Sequence, residues 1–563
     1  MSPGRGLALI GSVLTMDPAA PEAGGVGIAD GRIEVVGSAD EVRAAMGEAA
    51  ELVELGDELI LPAFIDAHHH FCMAAFDRRT PDLHLEPGST IADVLALVEQ
   101  AAAAPGDGWL RLQGYDPSKL RERRAPTAAE LDEACSDRPL LLIAYSFHEA
   151  CLNSRGLAEM GWDASSADPP HGVLVRKRGR LTGELIEGAM FLAEARSRDS
   201  LLETAADAWI AECEAHGRDL LAAGIVRVGD AAVPPTFERL YERAAEAGRL
   251  PVIVHRMPVA AASIIEPRTE APPTGSGPAR TPIGPAKLFM DGAERCAICL
   301  SMTETAHAAA LTLRTAVGGE GLAALRAATS VEWTRGADGL MHAGVMFWDQ
   351  DRLDAAVGAA ARAGLQVAQH AIGNEAIALA LTALEHEGAP LADLPGVPRL
   401  EHVTFLDPAL ARRIGDVGAM AVVQPYFVYD MVGDFTALTP LPQPNIVLPL
   451  RALLDAGVEL AGSSDHPVSG YDVLAAVEAA VRRHTRLGRV SGPDEAITAE
   501  QALRAYTLGS ARALGVEDEA GSLEAGKRAD VVILSGDPRR TATPTELSVR
   551  RTYLGGELAY QAA

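Results

Sequence analysis

The sequence Leu61-Pro62-Ala63-Phe64-Ile65-Asp66-Ala67-His68-His69-His70 places an apolar run directly before three consecutive histidines. The run predicts a buried strand, and residues two apart on a strand point to the same face. His68 and His70 can therefore reach one metal ion, while His69 points to the opposite face. Further candidate ligands close other short apolar runs, and they are Lys287, His370, His402 and Asp465.

The middle of the chain alternates short apolar runs with helical stretches, a pattern typical of a parallel α/β barrel. We therefore predict an α/β protein built on a (β/α)8 TIM barrel. In such a barrel the C-terminal ends of the strands meet at one mouth, so the six candidate ligands would face a common centre. The eight predicted strands are Leu59–Asp66, Ile225–Asp230, Val252–Met257, Ala286–Asp291, Gln366–His370, Arg399–Val403, Ala419–Gln424 and Leu460–Asp465.

Both ends of the chain show a different, all-β pattern. Asp30-Gly31 lies between two apolar runs and predicts a hairpin turn, and the last residues repeat this strand-and-turn patterning. We expect the two ends to form one small β-sandwich outside the barrel. The predicted domains are residues 1–60 and 506–563 for the sandwich, 61–505 for the metal-dependent barrel domain, and about 72–220 for a subdomain inserted after the first strand.

Composition narrows the classes of function. The 563 residues include 49 basic and 77 acidic side chains, a net charge of −28, which disfavours binding to nucleic acid or to anionic membranes. Six cysteines in this length fit a reducing compartment. The N-terminus does not resemble a signal peptide, and no stretch approaches the ~18 apolar residues of a membrane span. We expect a cytoplasmic protein with a small-molecule substrate, and a homodimer is one assembly that it could form.

The candidate ligands indicate metal chemistry. Imidazole and carboxylate groups suit Zn²⁺ or a similar divalent ion, which activates water and polarises a carbonyl group. Each residue also has a structural alternative. Isolated histidines at strand ends are often structural, Asp465 could cap the segment that follows it, and Lys287 could form a salt bridge inside the barrel.

Beyond these ligands, the chain resembles the amidohydrolase superfamily along almost its whole length. It most resembles the branch called amidohydrolase family 3, which includes N-substituted formamide deformylases. The resemblance rests on the strand-end ligands and on the segments Phe147–Ser154, Lys287–Gly292, His370–Asn374, Glu401-His402, Ser464–Pro467, Tyr506-Thr507 and Gly521–Asp530.

The resemblance implies a role for several of these residues. Asp465 would bind metal, take a proton from the attacking water and deliver it to the leaving nitrogen. Lys287 could be carboxylated by CO₂ and bridge two ions, as the strand-4 lysine does in relatives with two metals. His148, Tyr115 and Gln424 are candidate substrate-binding residues. For His148 a surface or capping role, and for Tyr115 a packing role, are the alternatives.

These observations predict a hydrolase that uses metal-activated water to cleave a carbon–nitrogen bond other than a peptide bond, in an amide or N-substituted formamide. The metal would be one or two divalent ions, with Zn²⁺ favoured. A deaminase or a cyclic-amidine hydrolase with the same site is the nearest alternative. Alternatives of another class are a catalytically silent scaffold and an isomerase or decarboxylase that reuses the metal.

Overall fold

The computed structural model describes residues 6–563, except for 82, 84, 87, 105, 107, 118, 261–263, 293–294, 321–331, 392–395, 432–441 and 443. Its strands are β1 Leu7–Leu14, β2 Glu22–Ala29, β3 Arg32–Gly37, β4 Glu51–Pro62, β5 Phe64–His69, β6 Leu110–Tyr115, β7 Leu140–Ala144, β8 Glu149–Leu152, β9 Gly172–Lys177, β10 Arg180–Glu187, β11 Ile225–Val233, β12 Ile253–Pro258, β13 Ala286–Phe289, β14 Ile298–Leu300, β15 Thr334–Arg335, β16 Met341–Ala343, β17 Val367–Ala371, β18 Arg399–His402, β19 Phe405–Leu406, β20 Met420–Val423, β21 Ile446–Val447, β22 Leu460–Gly462, β23 Val531–Leu534, β24 Val549–Leu554 and β25 Glu557–Gln561.

Its α-helices are α1 Ala39–Met46, α2 Phe71–Asp77, α3 Ile91–Ala102, α4 Ala128–Ala134, α5 Ser154–Glu159, α6 Gly188–Ala222, α7 Pro235–Glu246, α8 Met302–Thr315, α9 Gln350–Arg362, α10 Asn374–Leu391, α11 Pro408–Val417, α12 Phe427–Asp430, α13 Leu450–Asp455, α14 Val473–Arg482, α15 Ala499–Arg504 and α16 Ser510–Ala513. Shorter helical turns of other types lie at Ala316–Glu320, Pro493–Glu495, Ala505–Gly509, Pro538–Arg540 and Pro544–Glu546. None of the described helices is both long and apolar enough to cross a membrane.

The two ends of the chain share one seven-stranded mixed sheet, with strand order β25-β24-β23-β4-β1-β2-β3. The predicted hairpin turn is present between β2 and β3, where Asp30 and Gly31 have φ of 48° and 77°. Two such left-handed residues are what a tight hairpin turn requires. The arrangement of this domain as a sandwich stays a prediction.

Eight parallel strands, five of which hold the candidate ligands, form two sheets with the orders β12-β11-β5 and β13-β17-β18-β20-β22. The sheets adjoin at both edges. Arg256 on β12 forms a parallel bridge with Ile283, and the Asp465 backbone N donates to His68 O at 2.8 Å. The predicted α/β class is confirmed, and closure of these strands into a single barrel stays a prediction.

The prediction of a single strand over Leu59–Asp66 is wrong, because the structure divides this run between two strands. Leu59 to Pro62 are the end of β4 and pair with β23 of the terminal sheet, and the chain then continues as β5. The two strands meet at Ala63, whose N donates to Asp530 O at 3.0 Å. Because both are buried, the apolar run gives no sign of the change from one sheet to the next.

Between β5 and β11 the chain forms a separate five-stranded sheet with the order β6-β7-β8-β10-β9. The sequence predicts an inserted subdomain in this interval. Its sheet has its own core, where Leu112, Leu131, Leu140 and Leu142 are fully buried. Helix α6 then leads back towards β11, and it begins at Gly188.

Candidate metal centre

The six predicted ligands lie on, or just after, five of the parallel strands, and all but Lys287 are near a C-terminal end. His68 is in β5 and His70 follows that strand, Lys287 is in β13, His370 in β17, His402 ends β18, and Asp465 comes three residues after β22. Neighbouring parallel strands present these ends along one edge. His69 points to the other side, where its Nε2 lies 3.3 Å from His216 Nε2.

The imidazoles and the carboxylate come close together. Asp465 Oδ1 is 3.0 Å from His70 Nε2 and 3.3 Å from His68 Nε2. Each of these three residues offers a ligand atom within 4.8 Å of the other two, the spacing expected of a metal site. The His402 ring centre lies 4.9 Å from that of His68 and 4.6 Å from that of His370.

Each of the four histidines has its Nδ1 beside an oxygen atom that can accept a hydrogen bond. This pairing favours the tautomer with the proton on Nδ1, which leaves Nε2 available to bind a metal ion. Burial, together with nearby cationic groups, also lowers the pKa of His370 and His402 well below the usual value. The four pairs are His68 with Glu401 Oε2 at 2.5 Å, His70 with Ala231 O at 2.9 Å, His370 with Asp291 Oδ1 at 3.1 Å, and His402 with Gln424 Oε1 at 3.0 Å.

This donor set fits a divalent cation. An Nε2 that faces a carboxylate at 3.0 Å needs a positive charge between them, either as a second proton on the ring or as a metal ion. Four imidazole nitrogens and one carboxylate are ligands that Zn²⁺ takes. An ion here would satisfy all the Nε2 atoms at once, whereas protonating every ring would place several like charges in a buried site.

An ion pair buried behind His68 supports the site. Arg399 Nε and Nη2 donate to the two Glu401 oxygens at 2.6 and 2.9 Å, and both residues are fully buried. Burial alone would raise the pKa of Glu401, but Arg399 and His68 hold it well below the usual value. Glu401 is therefore ionised, and its charge favours the Nδ1–H form of His68.

Lys287 reaches the same centre. Its Nζ lies 3.3 Å from His68 Nε2 and 4.8 Å from the centre of the Phe289 ring, and the residue is fully buried. Burial lowers the pKa of Lys287 to about 8, against the opposing effect of Glu401 and Asp465. A lysine in such surroundings loses its proton more readily than an exposed one.

The backbone at the site is strained. Asp465 and His402 have φ of 60° and 75°, in the left-handed region that few residues other than glycine adopt. Such strain occurs mostly at functional sites, where the surrounding structure enforces it. Around Asp465 that support includes Asp66, which accepts from Ser464 N at 3.0 Å and from Ser464 Oγ at 2.5 Å.

Comparison with known proteins agrees with this arrangement. The sequence profile of the amidohydrolase family matches residues 51–560. The chain belongs to the amidohydrolase family. It is 31% identical to the N-substituted formamide deformylase of Arthrobacter pascens, over 98% of this chain and 97% of that protein.

Two solved structures share the fold of this chain over nearly its whole length. A metal-dependent hydrolase from Pyrococcus horikoshii OT3 has a TM-score of 0.70 at 22% identity, and covers 96% of this chain and 99% of its own. A second, from Pyrococcus furiosus, has a TM-score of 0.68 at 24% identity, and covers 95% of this chain and 100% of its own.

In this family member the candidate metal centre opens into a large cleft of about 1870 Å³. Phe191, Phe289 and Phe427 line the cleft. The Phe289 ring centre is 5.0 Å from that of His370, and the Phe427 ring is parallel to that of His402 at 6.4 Å. The space next to the histidines is therefore bounded by aromatic surface.

The structure brings one of the three predicted substrate-binding residues to this cleft. His148 lines it, with its ring centre 6.1 Å from that of His370. Tyr115 lies in the core of the insert, with its hydroxyl 3.4 Å from Cys151 Sγ. Gln424 is fully buried and contacts His402 and Ser463. The substrate roles of all three stay predictions.

Sequence reasoning assigned no role to Glu401, and for Asp291 it left open whether the residue orients Lys287 or only turns the chain before Gly292. Asp291 accepts hydrogen bonds from His370 Nδ1 and from the backbone N of Ile372 and Gly373. A signal was available for Glu401, because an acidic residue inside an otherwise apolar strand and next to a histidine is unusual. Glu401 and Asp291 each accept a hydrogen bond from the Nδ1 of a candidate ligand, His68 and His370 respectively.

Proposed function

We propose that this protein is a metal-dependent hydrolase that cleaves a carbon–nitrogen bond other than a peptide bond, in an amide or an N-substituted formamide. The observation that carries the proposal is the cluster of ligand atoms from His68, His70 and Asp465, with the His370 and His402 rings beside it and an acceptor at the Nδ1 of each of the four histidines. We also propose that the eight parallel strands close into one barrel around this centre.

The ion would be held by His68, His70, His370, His402 and Asp465, with Zn²⁺ favoured by the nitrogen and oxygen donors. A bound divalent ion supplies a Lewis acid and lowers the pKa of water. Lys287 is close enough to join this set, and we propose that CO₂ adds to its Nζ to form a carbamate when two ions bind. Native mass spectrometry would detect that adduct as the mass of one added CO₂.

A side chain of the protein then transfers the proton from water to the leaving group. The Asp465 carboxylate accepts a proton from the attacking water and transfers it to the nitrogen of the departing amine. The amide carbon gains the water oxygen and loses the amine, which gives a carboxylic acid, or formic acid from a formamide. His148 contacts the substrate from the insert side of the cleft.

The N-substituent would lie against the aromatic wall of the cleft. Phe191, Phe289 and Phe427 offer apolar surface next to the histidines, and burial of apolar area favours binding by about 25 cal/mol per Å². We therefore expect kcat/KM to rise with the apolar area of the substituent.

A panel of N-formyl and N-acyl amines tests the function. The purified protein, reconstituted with Zn²⁺, is incubated with each compound, and formate or carboxylate is measured together with free amine. Equal amounts of acid and amine support the proposal. Release of ammonia from an amidine or amine substrate would instead indicate a deaminase, and metal binding without any turnover would indicate a silent scaffold.

A further inference from the structure

His148 is held by a buried carboxylate that no motif in the sequence suggested. Its Nδ1 lies 2.7 Å from Glu187 Oε2, and Glu187 is 2% exposed. The backbone joins the same two residues, because Glu187 N donates to His148 O at 2.8 Å. His148 therefore has both its main chain and its ring fixed by one residue.

Glu187 adopts a conformation that local preference does not favour. Its φ of 51° and ψ of −122° lie outside the regions that residues with a Cβ commonly occupy. It immediately precedes helix α6, and Gly188 N donates to His171 O at 3.0 Å. A strained, buried residue of this kind persists only where its surroundings enforce it.

The segment after strand β13 leaves room for the Glu187 side chain. A Cβ at Gly292 would lie 2.1 Å from Glu187 Oε1 and 2.9 Å from its Cδ, whereas the next nearest atom, Arg295 O, would be 3.5 Å away. The φ of Gly292 is not in the left-handed region. Glycine is therefore needed at position 292 because a side chain would collide with the Glu187 carboxylate, and not because of the backbone conformation.

We propose that Glu187 is a positioning residue for substrate binding, which orients the His148 imidazole in the cleft. The lack of a side chain at Gly292 leaves room for the Glu187 carboxylate. The adjacent Asp291 orients His370. The turn after β13 thus supports a metal ligand through one residue and the substrate side of the cleft through the next. This inference rests on the proposed function, in which His148 contacts the substrate.

The role of Glu187 predicts a specific pattern of coupling. On a confirmed substrate, E187A and H148A should each lower kcat/KM by about 10- to 100-fold, as expected when a hydrogen bond to a charged group is lost. Because Glu187 acts through His148, the double variant should be no slower than H148A alone. E187Q keeps an acceptor for Nδ1–H and should retain more activity than E187A.

The Gly292 variant separates positioning from a general loss of structure. G292A should lower kcat/KM in the wild-type background and add nothing in the E187A background, where the clash is absent. Metal content and melting temperature should stay close to those of the wild type in both. D354N is the matched control, because it alters a histidine–carboxylate pair that does not line the cleft, His386 Nδ1 to Asp354 Oδ2 at 2.6 Å, with side chains 54% and 23% exposed.

Two results would overturn the inference. One is additive loss in the H148A/E187A double variant, and the other is wild-type kcat/KM in E187A. A crystal structure of E187A gives a readout that needs no turnover, because the His148 ring should leave the orientation that it has in the wild type. An unmoved ring refutes the positioning role. Failure of the proposed function would appear separately, as a wild-type protein that hydrolyses nothing in the panel.

Discussion

Replacing Glu401 with glutamine tests whether the buried carboxylate behind His68 maintains both the fold and the metal centre. Glu401 accepts from Arg399 at 2.6 and 2.9 Å and from His68 Nδ1 at 2.5 Å, and all three residues are buried. Glutamine has nearly the same shape, but it removes the charge and replaces one acceptor oxygen with an NH₂ donor. The variant therefore leaves the Arg399 guanidinium in the interior without its counter-charge.

The expected magnitude follows from this burial. Removal of one partner from a buried ion pair destabilises a protein by about 3 to 5 kcal/mol, since the remaining charge cannot be solvated. Loss of an acceptor behind a metal-binding histidine lowers metal affinity by about 10- to 100-fold. E401Q should therefore melt several degrees below the wild type and lose its ion at a lower chelator concentration.

The control is E385Q, which alters an exposed pair of the same chemistry. Arg413 donates to the Glu385 carboxylate at 2.9 and 2.8 Å, and the Arg413 and Glu385 side chains are 35% and 40% exposed. An exposed pair contributes about 0 to 1 kcal/mol, so E385Q should melt close to the wild type. Melting curves and elemental analysis along a chelator titration give both quantities. Equal melting temperature and equal metal retention in E401Q and E385Q would refute the reasoning.

Three further predictions concern the metal, the acid–base residue and the terminal sheet. Dialysis against a chelator should abolish hydrolysis and lower the melting temperature, and added Zn²⁺ should restore both, since a ligand present at ~1,000 times its Kd stabilises the folded state by about 4 kcal/mol. D465N should lower kcat by about 10²- to 10⁴-fold while some metal is retained. H402A should lower both kcat and metal content. A D465N enzyme near the wild-type rate would exclude Asp465 as the proton carrier. Deletion of residues 531–563 should give insoluble protein, because it removes β23 and exposes the edge of β4; a soluble and fully active truncation would contradict this.

The candidate ligand pair at the first of the parallel strands could be predicted from sequence because its signal is local. His68 and His70 lie two residues apart at the end of an apolar strand, so alternation alone places them on one face. The later candidate ligands lie on other parallel strands, and the alternation of strands and helices predicts that they meet at the same edge.

The groups that orient the ligands could not be predicted in this way. Glu401 is 333 residues from His68 in sequence, and Ala231 is 161 residues from His70. No local pattern links such pairs, and Ala231 acts through a backbone carbonyl that any residue would supply. The border between β4 and β5 was missed for a related reason, since burial in two different sheets produces the same continuous apolar run.

The arrangement of donors and acceptors makes the candidate metal centre depend on correct pairing of several parallel strands. His68 takes its acceptor from β18, His70 takes one from β11, and His402 takes one from the end of β20. If any of these strands were out of register, a histidine would lose its acceptor and could present the wrong nitrogen to the ion. Glu401, which holds His68, is paired with Arg399 in the interior. Separating these two residues would leave an unpaired charge buried. Fold stability and metal affinity should therefore fall together when this support is removed, which is why both are measured in the Glu401 experiment.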